Sequence, residues 1–401
     1  MTVHDTRIPA RAPLYGPAFD SDPHATYRML RQFGPIAPVQ LAPGFDGCPQ
    51  GITGWLVLDY DVALHLLRDP QTWSKDPRGW ESTLPADNPL QPMLGHRPNT
   101  LFTDGPEHAR LRAVVTDSLA LIDTGRLRTD VQQLADQLIA QFSRDGHADL
   151  IAQYTRPLPG LVFNNLFGGE QYGPDLVNAL GGMLDADPQR AVAAGAAFFQ
   201  YVTTIVTTKQ NRRGPDLASW YMDHPHALTQ EEVTHQVVLT LGAALEPLSA
   251  SIGNAISRAL ADRQRYTDLT NGTVAARTAV EEVLRSEPPM ANYGCHYARH
   301  PVQFYGAPIH PAEPVLISYA AINAELPTTE GSGGAHLAWS AGPHACPARQ
   351  PAMLLAVTAV ERLLNALGDL DLAVPREQLT WRPGLFQRSL AALPVRFSPL
   401  H

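Results

Sequence analysis

The residue with the clearest chemical potential is Cys346, which follows a glycine-containing turn and precedes a helical pattern that ends near Leu367. At the start of a helix, free backbone N–H groups and the helix dipole favour a thiolate over a thiol. A thiolate can bind iron as a ligand or attack a substrate as a nucleophile. The alternative is that Cys346 is a buried structural cysteine beside a helix cap.

Two further pairs of residues have spacings that allow joint chemistry. Glu282 and Arg285 are three residues apart, and His108 and Arg112 are four apart, each pair within a helical pattern. Residues at these separations share one face of a helix, so both pairs can act together. The alternatives are a chance Glu-Arg pair and a solvated basic face.

The segment 339–348 resembles the haem-binding segment of the cytochrome P450 family. In that family an aromatic residue, a glycine, a histidine or arginine and the cysteine ligand follow in order, as Trp339, Gly342, His344 and Cys346 do here. Two positions depart from the usual pattern. Trp339 stands where phenylalanine is usual, and Ala348 stands where a glycine is usual. Neither departure removes the ligand.

The two helical pairs also match motifs of this family. Glu282 and Arg285 match its Glu-x-x-Arg motif, and His108 and Arg112 match a histidine and an arginine that bind the haem propionates. The resemblance therefore implies that these two residues and His344 hold the propionates. It extends over most of the chain.

Two other positions depart from the family pattern. His296 stands where an arginine is usual, so a propionate would meet an imidazole whose charge depends on pH. The segment 323–339 lacks the arginine that usually completes a triad with Glu-x-x-Arg. Glu282 and Arg285 therefore lack a third member, or His336 takes its place.

The central helical pattern, at 230–262, departs from the family pattern at the positions that relay protons. The family carries an acid followed by threonine there, and these two side chains relay protons. The alignment places Glu246 at the acid and Pro247 at the threonine, so the alcohol is missing. Proline also removes an N–H from the helix and leaves the Ala243 carbonyl open to water. Ser249 supplies a nearby hydroxyl. The alternatives are a solvated carboxylate and an ordinary helical serine.

The resemblance implies an oxidoreductase with haem b, dioxygen and an external electron donor, for which a ferredoxin-type partner is expected. Cys346 is the expected axial ligand of the iron. The expected substrates are apolar or aromatic natural-product intermediates. Hydroxylation, or oxidative coupling of aromatic groups, for example in a peptide, are both consistent with the residues. A haem protein that has lost catalysis is the third possibility.

The elements needed to position these residues are mostly helices. Helical patterns are predicted at 60–67, 106–119, 125–143, 155–167, 190–210, 230–262, 273–286 and from after Cys346 to about 367, with strands at 54–58, 302–305 and 314–319. The predicted fold class is mainly α with small β-sheets, in one domain of the cytochrome P450 fold. A long loop at 74–100 is expected to shape the pocket. Five aromatic residues either shape the pocket too or pack in the core: Phe198, Phe199, Tyr201, Trp220 and Tyr221.

Composition narrows the classes of function and compartment. The net charge of -9 disfavours binding to nucleic acid, which needs a basic surface. Three cysteines in 401 residues do not form a disulfide framework and suit the cytoplasm. No uncharged apolar run reaches about 18 residues, so no membrane span is expected. A single domain is predicted over residues 1–401, with about the first 15 residues flexible.

Overall fold

Helices make up most of the structure. The computed structural model describes residues 11–169, 188–327 and 335–400. The helices are α1 (Pro17–Ser21), α2 (Pro23–Arg31), α3 (Tyr60–Arg68), α4 (Arg78–Glu81), α5 (Gln91–Leu94), α6 (Gly105–Ala120), α7 (Thr124–Phe142), α8 (Pro157–Leu166), α9 (Pro188–Asn211), α10 (Leu217–Asp223), α11 (Gln230–Leu260), α12 (Arg263–Thr270), α13 (Ala276–Ser286), α14 (Tyr319–Glu325) and α15 (Arg349–Ala366). A π-helical turn at Ile151–Thr155 precedes α8, and 3₁₀ turns lie at Gly342–His344 and Arg376–Gln378.

Several helices begin at side chains that satisfy their free N–H groups. Asp59 accepts hydrogen bonds at the start of α3, and Asp123 does so at the start of α7. The long α11 begins with a capping box, in which Thr229 and Glu232 each bond the other's backbone N–H. These caps explain why the helices start where the sequence patterns place them.

The strands form three small sheets. They are β1 (Ala12–Pro13), β2 (Ile36–Ala42), β3 (Ile52–Val57), β4 (Trp73–Ser74), β5 (His147–Asp149), β6 (Asn292–Ala298), β7 (Val302–Phe304), β8 (Ala307–Ile309), β9 (Val315–Ser318), β10 (Asp371–Leu372) and β11 (Pro394–Arg396). The largest sheet has the order β1-β2-β3-β9-β6-β4, the second has the order β10-β11-β5, and β7 pairs with β8 as a hairpin. The antiparallel pair β4–β6 places Ser74 opposite Tyr297.

The helix α11 lies at the centre of the largest hydrophobic core. Its apolar stripe, which includes Leu241, Leu248 and Ile252, packs with buried residues of α7, α8, α13 and α15. By length and composition alone α11 could cross a membrane, but 56% of its most apolar 18-residue segment is buried inside the protein. It is therefore the central helix of a packed core, as the sequence pattern predicts.

The predicted fold class is confirmed, and several elements differ from the predicted ones. The proline-rich segment at 36–42 forms the strand β2, and α12 forms in a polar segment that lacks an apolar stripe. The loop 74–100 contains the one-turn helices α4 and α5. Of the expected flexible N-terminus, residues 1–10 lie outside the described ranges. Ala12–Pro13 is a strand parallel to β2.

Candidate active site

A tight turn delivers Cys346 to the start of α15. The backbone N–H of Cys346 donates to the Trp339 carbonyl at 2.9 Å, which closes the turn. Gly342 has a φ of 69°, and a Cβ at this position would lie 2.0 Å from the Leu67 carbonyl oxygen at the end of α3. Only glycine fits both constraints. Gly342 therefore sets the path of the turn and makes no contact with the cavity described below.

The electrostatics of Cys346 differ from the expectation based on the helix start. Burial raises the pKa of the Cys346 thiol, against the opposing effects of the Ala348 N–H and of Arg112. Desolvation therefore outweighs the effect of the helix start on this thiol. A bound metal cation reverses that balance, since a thiol that coordinates a metal is deprotonated. The position suits a metal ligand better than a free nucleophile.

A cavity of about 290 Å³ lies between the Cys346 turn and α11. Apolar side chains dominate its wall. Residues of α11 that line it include Leu239, Ala243, Ala244, Pro247 and Leu248, and residues near the cysteine include Trp339, Cys346 and Leu355. Thr100, Gln236 and Tyr293 are among its polar members. The cavity can hold a flat apolar group beside the sulfur, with further apolar space along α11.

Two of the four predicted propionate ligands lie on the wall of this cavity, and the other two do not. Arg112 and His344 line the wall, and the His108 ring lies behind His344 with 4.0 Å between the ring centroids. His296 is 5% exposed, and among the described residues its Nδ1 atom has no hydrogen-bond partner; the same holds for Nε2 of His108. Burial lowers the pKa of both imidazoles. Buried nitrogens without partners, together with the Arg112 guanidinium on the cavity wall, fit a carboxylate-bearing ligand such as haem.

Lys75 belongs to the same cluster and was not found from the sequence. It is 4% exposed, and its ammonium donates to the Cys295 carbonyl at 2.5 Å. Burial lowers the pKa of Lys75 to about 8, although Cys295 and Asp104 act in the opposite direction. A lysine in a proline-rich loop is usually solvated, so the sequence offered no signal for this role.

The proposed acid and alcohol positions of α11 face different surroundings. Pro247 lines the cavity, whereas the Glu246 carboxylate accepts hydrogen bonds from Arg382 at 3.2 Å and Ser389 at 3.3 Å. Ser249 is not part of the wall. Its hydroxyl lies 3.1 Å from that of Thr155, on the π-helical turn. A residue two positions after Pro247 faces the opposite side of the helix, so the structure does not bring Ser249 to the cavity.

The Glu-x-x-Arg pair is not joined as expected. In the described part of the chain, the Glu282 carboxylate pairs with Arg265 of α12 and approaches Arg258 at 3.9 Å, and no ion pair links it to Arg285. Nδ1 of His336 accepts a hydrogen bond from the Ala338 N–H, so this imidazole supports the local turn. Burial lowers the pKa of His336, and Arg349 and Arg285 add to the effect. A neutral imidazole does not replace an arginine.

The five aromatic residues expected near the pocket do not line it. Phe198 and Tyr221 are buried in the main core, Tyr201 and Trp220 pack against it, and Phe199 is exposed. The alternative interpretation was that these residues pack in the core, and this is the case for all of them except Phe199. From the long loop, Thr100 reaches the cavity wall.

Comparison with known proteins decides the family. No protein-family model matches the sequence. The cytochrome P450 monooxygenase PikC of Streptomyces venezuelae is 31% identical over 402 residues, which cover 95% of this chain and 92% of that protein. The chain belongs to the cytochrome P450 family. The 6-deoxyerythronolide B hydroxylase of Saccharopolyspora erythraea is 28% identical over 402 residues, covering 94% of this chain and 97% of the relative.

Solved structures agree with this assignment. CYP154C4 from Streptomyces sp. W2061 superposes with a TM-score of 0.85 at 26% identity, over 97% of this chain and 98% of that one. The protein is a cytochrome P450 monooxygenase that uses haem iron, dioxygen and an external electron donor. The cavity beside Cys346 and the unpartnered imidazole nitrogens are features of this chain that fit the haem group.

Proposed function

We propose that this cytochrome P450 hydroxylates an apolar small molecule, an intermediate of natural-product biosynthesis. The observation that carries the proposal is the wall of the cavity, in which apolar side chains of α11 continue beyond the cysteine turn. Such a wall binds a substrate through burial of apolar surface and leaves a few polar groups to orient it. The relatives named as a monooxygenase and a hydroxylase support the same reaction class.

Haem, when bound, supplies the activation of dioxygen. In this proposal Cys346 would bind the haem iron, Trp339 would line the haem pocket and Gly342 fixes the turn. The propionate ligands are His108, Arg112, His296 and His344. This set combines one permanent cation with three imidazoles that burial disfavours as cations. The residues 1–401 form one haem-binding domain in the cytoplasm, and a ferredoxin-type protein delivers the electrons.

Proton delivery is assigned to Glu246 and to water beside Pro247. Pro247 has no N–H to bond the Ala243 carbonyl, and both residues line the cavity. The adjacent carboxylate of Glu246 lies among Arg382 and Ser389 and is 14% exposed, so it can exchange protons with solvent. Two neighbouring residues thus connect the solvent side of α11 with the cavity. Water at the Ala243 carbonyl completes the path.

A second reaction is favoured by one specific observation. Pro247 carries no alcohol on the cavity wall, and oxidative coupling of aromatic groups needs no oxygen insertion. Two hydrogen abstractions from the substrate, for example from aromatic side chains of a peptide, then form a C–C, C–O or C–N bond. The two substrate hydrogens pass as protons and electrons to dioxygen, which is reduced to two molecules of water with two further electrons from the external donor and two protons.

Mass spectrometry of the product formed under ¹⁸O₂ tests the proposal. Candidate substrates are first selected by the shift that they induce in the Soret band. Hydroxylation predicts a gain of one labelled oxygen atom per product. A loss of two hydrogens without label would establish coupling, and oxidation of reductant without any product would indicate a haem protein that has lost catalysis.

A further inference from the structure

We propose that Lys75 supplies the permanent positive charge that a haem propionate needs, in the position where His296 provides only an imidazole. The inference rests on the proposed propionate site, and it adds a residue from a different part of the chain. Cys295 and His296 lie on β6, and Lys75 directly follows β4, which pairs with that strand. The ammonium bonds the Cys295 carbonyl, next to His296.

The burial of Lys75 is the first argument. Lys75 and Lys209 are the two lysines of the chain, and both are buried, at 4% and 7% exposure. Lys209 has a carboxylate partner, since its Nζ lies 2.8 Å from Asp216. The ammonium of Lys75 instead bonds a backbone carbonyl, which carries no net charge. Burying a cation without an anionic partner costs free energy, so a bound anion would stabilise the protein at Lys75.

The nearest carboxylate is already engaged. Asp104 accepts hydrogen bonds from the Ser74 hydroxyl at 2.6 Å and from the backbone N–H of Lys75, and Nη2 of Arg299 lies 3.2 Å from it. Two cations, on Lys75 and Arg299, therefore share this one carboxylate. A haem propionate would offset the excess of positive charge.

A side chain at the start of α6 fixes the position of Lys75 relative to the other proposed propionate ligands. Asp104 stands at the N-cap position of α6, but its carboxylate is directed to Ser74 and Lys75 rather than to the helix. The same residue therefore ties the start of the long loop to the helix that carries His108 and Arg112. Lys75 is thus positioned with the other propionate ligands by one side chain.

Haem transfer from the holoenzyme to apomyoglobin measures the proposed contact. Lys75→Met should speed transfer about tenfold, since a charged hydrogen bond is lost. Lys75→Arg should remain close to the wild type. Lys209→Met is the matched control, because it removes the other buried lysine, and it should leave the rate within about twofold. If Lys75→Met does not fold, Lys75→Gln takes its place.

A charge-specific rescue separates binding from general stability. Lys75→Met combined with His296→Arg restores a permanent cation beside the propionate, so its transfer rate should return towards that of the wild type. Lys75→Met should also lower the reduction potential of the haem, and the double variant should restore it. Equal transfer rates for Lys75→Met and Lys209→Met, or a double variant no better than Lys75→Met, would overturn the inference. These readouts need no substrate, so their failure would leave the proposed reaction untouched.

Discussion

Gly342 shows how one residue can determine the position of the ligand. Its φ is 69°, and a Cβ at this position would lie 2.0 Å from the Leu67 carbonyl oxygen, so there is no room for a side chain. Gly342→Ala should destabilise the protein by about 2–3 kcal/mol and reduce haem content, because both the strained backbone and the contact must relax. Thermal unfolding and the haem-to-protein absorbance ratio measure this. Gly368→Ala, where a Cβ meets nothing within 4 Å, is the control, and an equal loss in both variants would contradict the account.

His336 predicts a dependence of stability on pH. Burial and the nearby Arg349 and Arg285 lower the pKa of His336 below 6.5. Between that lowered value and 6.5, the unfolded chain binds a proton that the folded chain does not, so acidification favours unfolding. His336→Asn keeps an acceptor for the Ala338 N–H and removes the titration. Its melting temperature should fall less than that of the wild type between pH 7 and pH 5, and parallel falls would refute the interpretation.

At the scale of single residues, the sequence predicted those cavity residues that belong to local motifs. Cys346, Arg112 and His344 line the cavity. Cys346 and His344 lie on one turn and Arg112 lies on α6, so local spacing was enough to predict them. Ser249 lies away from the cavity, since the helical phase opposite Pro247 directs it to Thr155. Lys75 could not be found, because its burial depends on the pairing of β4 with β6, which are more than 200 residues apart.

At the scale of elements, α11 combines a proline that lines the cavity with a carboxylate outside it. Glu246→Gln keeps the size of the side chain and most of its hydrogen bonds with Arg382 and Ser389, but removes the exchangeable proton. We expect product formation to fall by about 100-fold or more, since a general acid contributes roughly 10²- to 10⁴-fold. The haem content and the substrate-induced Soret shift should change little.

Pro247→Thr tests the other half of the same path. The threonine restores an N–H for the Ala243 carbonyl and an alcohol on the cavity wall, so water there is displaced or reordered. The fraction of reductant lost as hydrogen peroxide should therefore change, as a peroxide assay during turnover would show. Wild-type rate and coupling in both variants would show that protons arrive by another route, such as the substrate itself.

The helices were predicted better than the strands for a physical reason. The apolar stripe of α11 and the proline at the start of α6 are local signals, and both helices form within two residues of the predicted bounds. The strand β2 contains a proline and depends on pairing with β1 and β3, which a local pattern does not show. The polar α12 is held by contacts such as that between Arg265 and Glu282.

At the scale of the whole molecule, a helical core around α11 and a six-stranded sheet bring the cysteine turn and the cluster of basic residues to one cavity. The turn is fixed against α3 at Gly342, and the cluster is fixed by Asp104 between β4 and α6. Neither part of the site is built by one segment alone. The function therefore depends on the tertiary fold and not on the motif around Cys346 by itself.

The central claim is that Cys346 binds the haem iron as a thiolate. The most direct measurement is the spectrum of the reduced protein with carbon monoxide, for the wild type and for single variants of each cysteine. The Soret band typical of a thiolate-ligated carbonyl complex should be present in the wild type, in Cys48→Ala and in Cys295→Ala, and should be absent in Cys346→Ala. A band that survives in Cys346→Ala, and is lost in one of the other two variants, would contradict the account.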